Sequence, residues 1–107
     1  MNQFNFKLAD RNCRLCRSSY DNNGRLALFI NFEDDPCGFD DLVITVNLVD
    51  EDCPDGHAFI DSNNCPFAEG FLLDNGIGSP VGIGFSGLSS YPLYRIDLSK
   101  TEDVSNA

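Results

Sequence analysis

A chain of 107 residues that is 42% hydrophobic, with nine Phe and three Tyr, has material for one packed core, which excludes both a second domain and a disordered acidic tail. A formal net charge of −10 excludes the basic footprint with which proteins hold nucleic acid phosphates directly. No apolar run approaches membrane-spanning length, and "MNQFNFKLAD" has neither the basic nor the continuous apolar region of a signal peptide, so the expected setting is the cytoplasm.

In chain order, "QFNFKL" alternates Phe4, Phe6 and Leu8 with polar neighbours and reads as a half-buried strand. "RLCRSSY" is a weaker strand candidate, and "DNNG" supplies residues that tolerate positive φ, so a tight turn should feed "RLALFINF". There Leu26, Leu28, Ile30 and Phe32 share one face. After the charged, Pro- and Gly-bearing loop "EDDPCGFDD", the β-branched, period-two run "LVITVNL" is the clearest strand in the chain. A second acidic turn, "VDEDCPDG", leads to the short strand "HAFI". "DSNNCPFAEGFLLDNG" then predicts a helix from about Pro66 to Asn75, with Asn64 or Cys65 near its N-cap, Gly76 past its end, and Phe67, Phe71 and Leu72 toward the core. A Gly-rich connector and a final strand around "YPLYRIDL" complete the fold. The elements add up to an α+β protein, a mostly antiparallel sheet with one short helix packed on it, over residues 1–98, followed by a polar tail, 99–107, that should fray.

The charge is distributed unevenly. Residues 1–32 hold Lys7, Arg11, Arg14, Arg17 and Arg25 against Asp10 and Asp21, whereas residues 33–74 hold twelve carboxylates and no Lys or Arg. Two loops concentrate them: Asp34, Asp35, Asp40 and Asp41 in the first, Asp50, Glu51, Asp52 and Asp55 in the second. Such a field repels nucleic acid and favours a basic protein surface, including one that otherwise holds DNA or RNA; plain solubility is the competing account.

Three motifs bear on chemistry. "GIGFSG" satisfies the letters of a dinucleotide fingerprint, but no helix follows to receive a pyrophosphate, since "LSSYP" comes next; repeated Gly points instead to a bend or a close backbone approach. "DEDCPDGHAFID" offers Asp50, Asp52, Asp55 and Asp61, yet the sixth position, where a calcium loop turns on Gly, is Asp55, and the twelfth is Asp61. Cys13 and Cys16 form one C-x-x-C and Cys53 with His57 a C-x-x-x-H, together a Cys₃His set suited to zinc, although Cys37 and Cys65 are left over and only one half resembles a knuckle. Reduced, packed thiols are the simpler account of five cysteines, an odd number, in a reducing compartment. The one histidine, His57, has no assignable nucleophile or orienting partner, so no catalytic residue and no cofactor are assigned and the chain reads as a non-enzyme.

The segments "NGRLAL", "LVITVNL", "AFIDSNNCP", "NGIGSPVG" and "YPLY", in that order, resemble domain-of-unknown-function family 4313, small proteins associated with mobile elements and prophages of gut bacteria. The resemblance covers about residues 20–98 and leaves "RNCRLCR" outside. It implies a setting rather than a chemistry: an accessory protein of a mobile element that modulates host machinery. The expectation is therefore a small acidic interaction protein, with the zinc-binding domain of Cys13, Cys16, Cys53 and His57 as the alternative.

Overall fold

In the computed structural model, which describes residues 3–104, the chain forms β1 (Phe6–Leu8), β2 (Arg11–Ser19), β3 (Leu26–Phe32), β4 (Leu42–Val43), β5 (Thr45–Val46), β6 (His57–Ile60), α1 (Ala68–Asp74), β7 (Gly78–Ser86), β8 (Ser89–Ile96) and β9 (Glu102–Asp103). The first sheet runs β1-β2-β3-β4, with β9 also on β2; the second runs β5-β6-β8-β7. Every ladder is antiparallel except β2 with β9. The architecture is α+β, mostly sheet, as the sequence predicts.

The tight turn at "DNNG" forms as expected: Gly24 takes a φ of +69°, its N–H bonds the Tyr20 carbonyl, and the Tyr20 N–H bonds the Arg25 carbonyl. It sets the β2–β3 register from Ser19 opposite Leu26 to Cys13 opposite Phe32. Leu28, Ile30 and Phe32 are buried on one face, and Cys13 and Leu15 of β2 meet them there. β2, the weaker sequence candidate, is the organising strand of the sheet, bordered by β3 along one edge and by β1 and then β9 along the other. Its arginines break the alternation of residue letters, but a long aliphatic stem lets Arg lie along a sheet with its head group elsewhere.

"LVITVNL" is not one strand. Leu42–Val43 pairs with β3 in the first sheet and Thr45–Val46 with β6 in the second. Between them Ile44, fully buried, donates its N–H to the Leu28 carbonyl and accepts at its own carbonyl from Asp61 N–H. One β-branched run thus serves as a corner where the chain changes sheets, a solution available wherever two sheets pack on a common core.

α1 starts two residues later than expected, with Phe67 at its N-cap and no side-chain cap. A preceding turn uses Asp61 instead: its carbonyl accepts from Cys65 N–H and its carboxylate from the Asn64 side-chain amide. The C-terminus matches. Gly76, at φ +64°, donates to Leu73 O while Ile77 donates to Leu72 O, the paired bonds that close a helix when the following residue turns left-handed. Phe71 and Leu72 are buried with Ala68, Phe67 packs half-buried beside them, and Tyr94 of β8 donates its hydroxyl to Glu69 at 2.7 Å, fastening helix to sheet. Burial, the Glu69 hydrogen bond and its charge all push the Tyr94 hydroxyl pKa upward, so Tyr94 stays a donor across the physiological range.

Two further segments differ from expectation. The Gly-rich "connector" is the nine-residue β7, pairing along β8 as a hairpin. Its glycines answer a packing need: a Cβ on Gly84 would sit 2.5 Å from the Phe59 ring, so any side chain there would displace a buried aromatic. The expected polar tail is paired with the sheet over its described part. Asp97 caps a 3-10 turn at Leu98–Lys100 by accepting from Ser99 N–H, Thr101 is buried, and β9 lies parallel to β2 with Val104 N–H bonded to Arg17 O. Arg17 makes this possible by donating to the carbonyls of Leu98 and Thr101 and to the Thr101 hydroxyl. Residues 105–107 of the expected tail lie outside the described residues.

Candidate functional site

Both acidic loops grow from the ends of the sheets. The first, residues 33–41, follows β3. Because Cys13 pairs with Phe32, the antiparallel register carries Arg11 to the level of residue 34. The Arg11 guanidinium there bonds Asp34 at 2.6 Å and Asp40 at 3.0 Å while its carbon lies 3.8 Å from the centre of the Phe32 ring. The hydrogen bond from Arg11 holds the Asp34 carboxyl below its usual range. Asp35 accepts from Asp40 N–H, and Asp41 accepts from the Asn31 amide, whose oxygen in turn receives Arg14. Glu33 accepts from the Asn12 amide, so all five carboxylates of this loop have internal partners, although Asp34 and Asp40 stay open to solvent.

The second loop, residues 49–55, contrasts with it. Arg25 enters here too, but donates to the main-chain carbonyls of Leu48 at 2.8 Å and Glu51 at 2.7 Å. The carboxylates are left alone: among the described residues Asp50, Glu51, Asp52 and Asp55 make no ion pair. Asp50, Asp52 and Asp55 are exposed and Glu51 half-buried. Arg11 thus pairs with two of the five carboxylates of the first loop, whereas among the described residues none of the four in the second is in an ion pair. Neither arginine's destination was legible from a count of charges along the chain, although a hairpin centred on Asn22-Asn23 does place Arg11 opposite Asp34.

Beside the second loop lies a cleft of about 230 Å³ whose walls include Arg17, Arg25, Cys53, Asp55 and His57. His57 Nδ1 is 2.9 Å from the Asp55 carbonyl; a carbonyl only accepts, so Nδ1 carries the proton and Nε2 the lone pair in the neutral ring. Cys53 Sγ donates to the His57 main-chain oxygen at 3.4 Å rather than to its imidazole. Burial pushes the Cys53 thiol pKa upward, with Arg25 pulling against it. The pair is built as a turn staple, in which thiol and imidazole satisfy main-chain oxygens.

The Cys₃His set is not assembled. Cys53 and His57 share the cleft, but Cys13 and Cys16 lie three apart on a strand, where side chains alternate, and so emerge on opposite faces of β2. Cys13 is in the core with Leu15, its pKa pushed up to about 11 by burial, and Cys16 is fully buried as well. Among the described residues no three His, Cys, Asp or Glu side chains stand close enough to share a metal ion. All five cysteines are free thiols; Cys65 donates to Val43 O, and only Cys37 is exposed.

A family model described as a domain of unknown function, DUF4313, matches residues 13–107. The chain belongs to the DUF4313 family. The match reaches further than the resemblance in the sequence suggested, taking in Cys13, Cys16, all of β2 after its first two residues, and β9. The matched span thus includes β9, which in this chain closes the C-terminal segment in parallel on β2. No curated protein and no solved structure matches this chain. No helix among the described residues is long and apolar enough to cross a membrane.

Proposed function

We propose that this DUF4313 protein is a non-enzymatic interaction module whose second acidic loop, Asp50, Glu51, Asp52 and Asp55, engages a basic surface on a partner protein. One observation carries the reading: Arg25 holds the main chain of this loop at Leu48 and Glu51, and among the described residues none of its four carboxylates is in an ion pair. A loop built for solubility alone needs no such scaffold; one that must present charge in a set arrangement gains from it, because a preorganised patch loses less entropy on binding. The first loop, Asp34, Asp35, Asp40 and Asp41, contributes less, since Arg11 already pairs with Asp34 and Asp40. The partner chemistry is a cluster of Lys and Arg of the kind that otherwise carries nucleic acid, so the protein competes with nucleic acid rather than binding it. A cytoplasmic accessory role for a mobile element, acting on a host factor, fits that chemistry and the resemblance noted in the sequence.

The test is capture of partners on the immobilised chain from a host-cell lysate at low and then moderate salt. It is followed by affinity measurements of the captured protein against a variant carrying Asp50→Asn, Glu51→Gln, Asp52→Asn and Asp55→Asn. Affinity at low salt should fall roughly tenfold or more and lose much of its salt dependence. Equal binding by the parent and the variant defeats the proposal.

A further inference from the structure

The longest uncharged stretch of the chain lies in its last third. From Asn75 to Tyr94 there is no Asp, Glu, Lys, Arg or His, and this stretch covers β7 and all of β8 before Arg95. β7 is an edge strand, and natural edges are normally blunted by charge, Pro or a bulge because their free N–H and C=O groups invite pairing. The first half of β7 is blunted: Pro80 lies in it, and the register slips between Pro80 and Gly82. From Gly82 to Ser86 none of these devices is present. Ile83 and Phe85 there are each 58% exposed.

The hydrogen-bonding direction along this edge follows from the ladder. Ile96 N–H bonds Gly56 O, on the β6 side; backbone groups alternate along a strand, so Pro92, Tyr94 and Ile96 turn toward β6, while Tyr91 and Leu93 turn toward β7. Opposite Tyr91 and Leu93 stand Gly84 and Gly82, which spend their groups on β8. Ile83 and Phe85 therefore aim both N–H and C=O outward.

We propose that two copies of the chain pair antiparallel through this edge, about a two-fold axis at Gly84, joining their second sheets into one. The occupant is a second copy because the strand is complementary to itself. With Gly84 opposite Gly84, Ile83 of each copy faces Phe85 of the other, and these two residues are the ones whose backbone groups point outward. The result is four main-chain hydrogen bonds and two aromatic–β-branched pairs on one face, the favoured cross-strand combination. On a chain with net charge −10, this approach brings together an uncharged strip, longer than the two-residue edge at Thr45–Val46. Each copy offers the edge once, so pairing closes at a dimer. One opposing contact is built in: the Glu51 carboxylate lies 3.1 Å from where a Gly84 Cβ would stand, on the face opposite Ile83 and Phe85, so the axis draws two carboxylates together. The dimer should strengthen with salt, in contrast to binding of a basic partner.

Sedimentation of the full chain from dilute to concentrated solution should show a reversible monomer–dimer equilibrium, tighter at higher salt and tighter again in Glu51→Gln. Phe85→Lys should raise the dissociation constant about tenfold or more. In the unaltered chain, amide exchange at Ile83 and Phe85 should slow with concentration while Gly82 and Gly84, already bonded to β8, do not change, a readout that needs no variant to fold. A chain that stays monomeric throughout, a dimer indifferent to Phe85→Lys or loosened by Glu51→Gln, or exchange at Ile83 and Phe85 independent of concentration each overturns the proposal.

Discussion

The two acidic loops are nearly matched in carboxylates, five in residues 33–41 and four in residues 49–55, and differ in what their arginine touches. Arg11 spends its guanidinium on the side chains of Asp34 and Asp40; Arg25 spends its own on the carbonyls of Leu48 and Glu51. The first arrangement pairs side-chain charges and the second fixes the backbone that carries them. Acidity in a sequence is therefore not a surface property until the destination of each cation is known.

The core sets the scale on which the loops are measured. Phe71→Ala, which opens a cavity between α1 and the sheets, should cost on the order of 3 kcal/mol in urea unfolding. A loss below about 0.5 kcal/mol would mean that the helix contributes little to the cooperative unit. Against that scale Arg25→Ala should cost about 2 kcal/mol, because two charge-assisted bonds to half-buried carbonyls are removed together. Arg25→Lys should recover only part, since a single ammonium does not reproduce the two-point geometry of the guanidinium. An Arg25→Ala variant as stable as the parent would remove the scaffold on which the proposed function depends.

Arg11→Gln should have a smaller effect, and its sign with pH is set by Asp34. The folded carboxyl sits below its ordinary value of 3.8, so the pair's stabilisation is present above that pH and is lost as pH falls through the lower folded value. The difference in unfolding midpoint between the parent and Arg11→Gln should be fullest near neutrality and narrow below the ordinary carboxylate value; a gap that widens on acidification contradicts the pairing.

Smaller still, and opposite in sign for the two loops, are the amide substitutions. Asp34→Asn with Asp40→Asn should lower the thermal midpoint slightly by depriving Arg11 of its partners. Asp50→Asn with Asp52→Asn should leave it unchanged or raise it as self-repulsion falls. The same sign in both loops would erase the distinction between them.

Each loop also carries its own probe thiol. Cys37 in the first is exposed, whereas Cys53 in the second is half-buried, bonded to His57 O, and has its pKa pushed upward by burial. Alkylation of the folded protein near neutral pH should therefore label Cys37 first and Cys53 much more slowly, read by mass spectrometry of the digested chain. Preferential labelling of Cys53 would show the second loop to be open.

What could be read in advance depended on how local the cause was. The β3 face, the strand His57–Ile60, the closure of α1 at Gly76 and the strand ending at Ile96 rest on periodicity and on residues with special backbone preferences. Letters within a few positions of each other decide those features. The corner at Ile44, the parallel pairing of Glu102–Asp103 with β2, and the strand character of the Gly-rich segment 78–86 depend on a partner distant in the chain. Their own letters read as a single strand, a tail and a connector.

The site divides along the same line. The amino-acid sequence by itself determined that negative charge would crowd two loops, that a tight turn would join β2 to β3, and that a short helix would end at Gly76. These follow from composition and from the φ preferences of single residues. Only the tertiary structure decided that Arg11 pairs with two carboxylates of one loop while Arg25 holds the other by its backbone, that Cys13 and Cys16 face apart while Cys53 and His57 share a cleft, and that β7 keeps an open edge. Ladder register and the packing of two sheets on one core set those outcomes, because they bring residues dozens of positions apart to within a hydrogen bond of each other, and the order of letters along a chain does not encode that distance directly.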